Sequence, residues 1–152
     1  MATSTKVSVT LDSLPGRPQA ELAVTEALER GETFELLLLV VNRLPLINER
    51  FGYEVGDRIL EAYSERLSEE LDDRCRLYRW SAAALVAFAG TGDWKRSAST
   101  CMRFDETVWL SGKPVRLSMR AASGLFSVDQ FTRLDNLMQR MDYFVATELE
   151  IA

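Results

Sequence analysis

The chain carries one almost uninterrupted apolar run, Phe34 to Val41, in which only Glu35 is polar. A run this short cannot cross a bilayer, which takes roughly 20 apolar residues as a helix. It predicts a strand buried on both faces. Further on, Val55, Ile59, Tyr63 and Leu67 recur every fourth residue, with Leu60 and Leu71 beside them, so an amphipathic helix is expected from about Tyr53 to Leu71, ended by Asp72-Asp73. Ahead of the central strand, residues 1–17 form a polar lead-in. Pro18 opens a helix over Gln19 to Arg30, and Gly31 stops it. Its stripe of Leu22, Thr25 and Leu28 is thin, which predicts a surface helix available for docking. Pro45 either opens a short helix or breaks the chain before Ile47.

Two short apolar runs follow, Cys75 to Trp80 and Leu85 to Phe88, and the β-favouring Tyr78, Trp80, Val86 and Phe88 make them a hairpin. The intervening Ser81-Ala82-Ala83-Ala84 holds no Gly, Asn or Asp for a positive φ, so a loop wider than two residues is expected. Asp93 can cap a helix bearing Trp94, Ala98, Cys101 and Met102. Val108 to Leu110 and Val115 to Met119 flank Ser111-Gly112-Lys113-Pro114 as a second hairpin, with Gly124 closing the segment. The last helix runs from about Asp129 to Glu148, its buried stripe being Phe131, Leu134, Leu137, Met138, Met141, Phe144 and Val145. This order predicts an α/β (α+β) fold, a mixed central sheet flanked by helices, forming one domain over residues 18–152.

Composition narrows the function. The 152 residues suffice for one cored domain, and 47% hydrophobic with 27% charged residues is ordinary for a soluble protein. A net charge of −5 without a basic tract argues against nucleic acid as a partner. There is no histidine, which removes His-based triads and most zinc sites. Cys75 and Cys101 match no metal spacing and read as reduced core thiols. The start has no apolar signal-peptide core, and the polar face of the last helix is not basic, so a cytoplasmic protein without membrane contact is expected.

The chemistry, if any, belongs at the mouth of the central strand. There Asn48-Glu49-Arg50-Phe51-Gly52-Tyr53-Glu54-Val55-Gly56-Asp57 places two glycines, an amide and a carboxylate where α/β folds hold small ligands. This block resembles the Asn-Asp-x-x-Gly-His-x-x-Gly-Asp block of the GGDEF domain of diguanylate cyclases, with Tyr53 in place of the usual histidine. Asp12 to Gln19 resembles an eroded form of that family's Asp-x-Leu-Thr-Gly-Leu-Pro-Asn-Arg opening. Arg79-Trp80-Ser81-Ala82-Ala83-Ala84-Leu85 falls on Arg-Tyr-Gly-Gly-Asp-Glu-Phe. The resemblance covers nearly the whole chain. It implies a fold related to class III nucleotide cyclases and polymerase palms, and an activity that joins two GTP molecules into cyclic di-GMP.

The departures change the functional expectation. The resemblance puts the family's metal-holding acids at Val40 and Ala83, neither of which offers Mg²⁺ the hard oxygen ligand it takes. The last signature acid is Ala84. The two signature glycines are Ser81 and Ala82, whose Cβ atoms limit approach to phosphate. The phosphate-binding lysines fall on Pro45 and about Leu149. The product-inhibition motif Arg-x-x-Asp would occupy Asp72 to Cys75 and is absent there, which leaves Arg74 and Arg76 as solvated or ion-paired arginines. The implied base-reading pair, Asn48 and Asp57, is kept; an amide and a carboxylate suit guanine's edge. Both residue types also cap helices, and capping is the competing reading.

The expectation is a catalytically inactive GGDEF-like regulatory or protein-interaction module in cyclic di-GMP signalling, without metal or other cofactor. Its expected partner is a protein or a fused signalling domain, and a homodimer is compatible with it; no phosphodiesterase (EAL) sequence lies in the chain. The alternative is a non-hydrolysing GTP sensor that binds weakly through Asn48 and Asp57. A residual enzyme using Glu49, Glu54 or Asp93 is the least favoured reading.

Overall fold

In the computed structural model of the protein, residues 14–70, 76–89, 103–110 and 112–150 are described. In order they form α1 (Arg17–Glu29), β1 (Phe34–Val41), α2 (Leu44–Phe51), α3 (Tyr53–Glu70), β2 (Arg76–Ser81), β3 (Ala84–Ala89), β4 (Arg103–Leu110), β5 (Lys113–Val128) and α4 (Leu134–Glu150). The strands make one five-stranded sheet in the order β2-β3-β1-β5-β4. The helix expected after Asp93, both cysteines, Leu71 and the segment Asp72 to Arg74 lie outside the described residues.

The expected sheet flanked by helices is present, with one refinement of strand direction. Every ladder is antiparallel, where alternating helices and strands suggested a mixture. β1 and β2 do run parallel, joined by the α2–α3 crossover, but β3 lies between them. This is a split βαβ arrangement.

β1 is the hub, as its apolar run predicts. Leu37, Leu39 and Val41 face α3, meeting Val55, Ile59, Leu60, Tyr63 and Leu67. Leu36, Leu38 and Val40 face the other way, in one core with α1 and α4. Hydrophobic burial on both faces makes this strand the centre of two apolar layers.

α1 departs from expectation. It buries Ala20, Ala23, Val24 and Ala27 and leaves Leu22 57% exposed. Its inward stripe consists of small residues, which a search for large apolar side chains overlooks. Gly31, at φ 69°, ends it as foreseen. The Glu32 N–H donates to the Ala27 carbonyl and the Gly31 N–H to that of Leu28, both at 3.0 Å, a Schellman cap.

Three further expectations need correction. Gly124 does not close β5 but lies in its middle opposite Leu38, where a Cβ would stand 3.1 Å from the Phe144 ring. Close packing against α4 explains this glycine. Phe131 is 81% exposed and precedes α4. It lies in a turn in which Asp129 Oδ1 accepts from the Phe131 N–H at 2.8 Å, and this turn delays the helix to Leu134. The first hairpin has only Ala82 and Ala83 between its strands, not a wider loop. A register shift between Arg79 and Ser81 takes up the mismatch.

Candidate functional site

The C-terminal end of β1 is where the sequence places its candidates, and three pieces of chain meet there. The first is the hairpin turn. The Val41 N–H donates to the Ala83 carbonyl at 2.9 Å, and Val40 pairs with Ala84 across the β1–β3 ladder. The turn is therefore stapled over the strand end, and the positions expected for the two metal-holding acids sit side by side. Val40 and Ala84 are fully enclosed and Ala83 nearly so. Ser81 is half-buried, its Oγ accepting from the Ala83 N–H at 3.4 Å, and Ala82 is exposed.

The second piece is the α2–α3 corner. Pro45 does open a helix, within the first turn of α2, where its missing N–H costs nothing. Gly52 ends α2 with φ 95° and ψ 158°, a conformation reserved in practice for glycine, so α3 starts one residue later. Asn48 lies inside α2 and Asp57 in the second turn of α3. Neither caps a helix, which overturns the competing reading of this pair.

The corner brings the two together through Gly56. A Cβ on Gly56 would overlap the Asn48 side-chain oxygen, so the amide of Asn48 lies directly on the α3 backbone beside Asp57. That oxygen is buried and has no hydrogen-bond partner among the described residues. A buried acceptor left unmade costs about 1–3 kcal/mol. Asp57 is half-exposed and receives one long contact, from Arg79 Nη2 at 3.4 Å. Sequence reasoning placed Arg79 only as the start of the hairpin motif. Its alternation with the core residue Trp80 on β2 is the signal that turns it toward α3.

The third piece is the end of α4. Asn42, just past β1, donates from Nδ2 to the Glu148 carbonyl at 2.9 Å and to Glu148 Oε2 at 3.0 Å, which holds the helix end against the strand mouth. Leu149, at the expected position of a phosphate-binding lysine, packs against both apolar layers. Glu49 and Glu54 are exposed on the outer side of the corner, and Asp93 lies outside the described residues.

The donor set does not suit a divalent metal. Mg²⁺ takes oxygen ligands in octahedral geometry, and the side chains of Val40, Ala83 and Ala84 supply only aliphatic carbon at the strand end. Among the described residues no group of three or more His, Cys, Asp or Glu could hold an ion.

A split βαβ antiparallel sheet with a hairpin turn seated over its central strand agrees with the palm-like fold expected from the sequence. Within that class the chain belongs to the GGDEF family: the family model described as diguanylate cyclase, GGDEF domain, matches residues 10–146. Among solved structures it is similar to the FimX GGDEF domain from Pseudomonas aeruginosa, at 15% identity and TM-score 0.76, covering 99% of this chain and 96% of that one. It is also similar to diguanylate cyclase SiaD in complex with its activator SiaC, from the same organism (18%, TM-score 0.75, 97% of this chain and 59% of that one). A third likeness is to the GGDEF domain of DgcB from Caulobacter crescentus in complex with c-di-GMP (15%, TM-score 0.67, 97% and 92%). At these identities the likeness is one of fold. No curated protein matches the chain. No helix among the described residues is long and apolar enough to cross a membrane.

Proposed function

We propose that this chain is a degenerate GGDEF domain that makes no cyclic di-GMP and acts in that signalling system as a regulatory or protein-interaction module. The observation that carries the reading is the strand mouth itself, buried and apolar, where Val40 pairs with Ala84 and the adjacent Val41 N–H donates to the Ala83 carbonyl. Transfer of a nucleotidyl group to a 3′-hydroxyl requires divalent metal to neutralise the triphosphate, and these side chains present nothing to hold it. Pro45 and Leu149 likewise offer no cation to the phosphates. A cytoplasmic setting and a protein partner or fused signalling domain accord with this reading. SiaD is held in complex with its activator SiaC, which supports a protein contact as a mode of action in this fold.

The test is incubation with GTP and either Mg²⁺ or Mn²⁺, followed by chromatography of the nucleotides, with gel filtration and affinity capture in parallel. No cyclic di-GMP is expected, together with self-association or retention of a signalling protein. Product formation that disappears on Asp57→Ala would overturn the reading. A strict monomer that retains nothing would remove its interaction half.

A second reading has its own observation, the unpartnered Asn48 oxygen beside the half-exposed Asp57. In it the chain senses GTP without turning it over, through guanine contacts at these two residues. Calorimetry is expected to give weak, metal-independent binding that Asn48→Ala abolishes. Binding that survives that substitution sinks this reading.

A further inference from the structure

Away from the strand mouth, three side chains from distant parts of the sequence converge on one point. Arg17, in the first turn of α1, makes a fork-to-fork pair with Asp142 of α4, Nη1 to Oδ1 and Nη2 to Oδ2, both at 2.7 Å. The Trp80 indole N–H donates to the same Asp142 Oδ1 at 3.2 Å. The Arg17 guanidinium also lies over the Trp80 ring, 4.2 Å from its centroid. Such planar, bidentate and stacked contacts need arginine in particular; lysine lacks the fork. Hydrogen bonding to Asp142 accordingly holds the Arg17 guanidinium above its ordinary pKa.

The rest of α1 is lightly attached. Its buried residues are three alanines and one valine, which bury little apolar area each, and the one large side chain beside them, Leu28 near the far end, is only partly buried. Beneath it lie larger groups: Tyr78, Trp80, Phe88 and Met141 line the space that Ala20 and Val24 close. One end of the helix is therefore held by a polar cluster and its length by small contacts. Trp80 also falls within the register shift of β2, directly before Ser81. The Arg79 N–H donates to the Pro15 carbonyl at 2.9 Å, so the segment before α1 grips the neighbouring residue as well.

We propose that α1 is a releasable strap, latched by the Arg17–Asp142–Trp80 cluster, and that opening the latch uncovers the aromatic sheet face beneath it while the rest of the domain stays folded. Latch strength follows from its chemistry. Both charged side chains retain exposure, 34% for Arg17 and 48% for Asp142, so their attraction is screened by salt. The small-residue contacts along α1 are not. The strap therefore loosens as ionic strength rises, a direction opposite to that of apolar packing. The resemblance of the opening segment to its family pattern puts leucine where Arg17 stands, which makes Arg17→Leu an informative replacement.

The experiment is hydrogen exchange on the full chain at low and at 1 M salt, for the native protein, Arg17→Leu, Asp142→Asn and Trp80→Phe. Iodide quenching of tryptophan fluorescence is read in a Trp94→Phe, Trp109→Phe background that leaves Trp80 alone. The amides of α1 are expected to exchange about tenfold faster in each variant and in high salt, while those of β1 do not change. Trp80 becomes accessible to iodide in Arg17→Leu, in Asp142→Asn and in high salt. The proposal is overturned if α1 and β1 amides accelerate together, which is global loss of stability. It is equally overturned if α1 protection is indifferent to salt and to the substitutions. Should Asp142→Asn fail to fold, Arg17→Leu, which removes the fork and leaves Trp80 and Asp142 in place, decides the matter alone.

Discussion

The hairpin turn and the α2–α3 corner flank the same strand end, yet they are built on opposite principles. At the turn, Val40, Ala83 and Ala84 are enclosed and contribute to the two apolar layers. At the corner, Asn48 keeps a buried oxygen without a partner, and Asp57 keeps a half-exposed carboxylate on one long contact. The first region has its side chains satisfied by packing. The second retains polar groups that the chain itself leaves under-used. The difference teaches that shape and chemistry are separable at a site. A turn over a strand end can be built from methyl groups within a regular ladder, whereas the corner depends on Gly52 and Gly56, and its polar residues ride on that geometry.

The contrast can be broken most forcefully at Val40. Val40→Asp places a carboxylate at a fully buried position between Ala84 and Ala122. Destabilisation of about 3 kcal/mol or more is expected, read as the urea midpoint. A midpoint within error of the native one would mean that the strand mouth is still a polar site. Gly56 tests the corner. Gly56→Ala is expected to cost about 1–2 kcal/mol by displacing the Asn48 amide. In an Asn48→Ala background the same change turns neutral or favourable by up to about 1 kcal/mol, since alanine is the better helix former. An unchanged cost in that background would show that Asn48 is not what requires the glycine.

A smaller effect is expected from the Arg79–Asp57 contact. With side-chain exposures of 31% and 48%, a double-mutant cycle of Arg79→Ala and Asp57→Ala should give a coupling of about 0.2–1 kcal/mol that fades in salt. A larger, salt-insensitive coupling would make Asp57 a committed structural partner and end its comparison with an open site. The smallest effect lies far from the mouth and serves as a reference. Hydrogen bonding to Arg30 holds the Glu32 carboxyl below its ordinary value. A depressed folded-state pKa means that its contribution is present above the ordinary carboxylate range and lost as pH falls through the lowered value. An NMR titration of Glu32 should return to the ordinary midpoint in Arg30→Gln, with only a small fall in the neutral-pH unfolding midpoint.

How much of this was legible in the sequence depended on the size of the side chains involved. The eight-residue run of β1 and the four-residue period of α3 announce themselves because Leu, Ile and Tyr bury large areas. The stripe of α1 did not, because alanine has the same weak polarity signal whether it faces in or out. Phe131 misled in the opposite sense: an aromatic residue in phase with the α4 stripe is exposed, since the Asp129 turn holds it outside the helix. Gly124 reads as a stop in sequence and proves to be a clearance for Phe144, a relation between residues 20 apart that local pattern cannot contain. At the site, the sequence order of Asn48, Gly52, Gly56 and Asp57 was enough to propose a pocket. It was not enough to separate base reading from capping, because that depends on where helices begin, the least predictable boundary.

The enclosure of Val40 also bears on the descent of this chain. An acid introduced at that position would bury a charge before any companion change could employ it. The loss of stability would be felt in every generation, whereas any advantage would wait for further substitutions at Ala83, Pro45 and Leu149. Each step toward a charged strand mouth is thus opposed by folding, independently of whether a reaction there would be useful. Packing at the strand mouth works as a ratchet: substitutions on contact surfaces are open to drift, whereas the introduction of acids at the strand end is not.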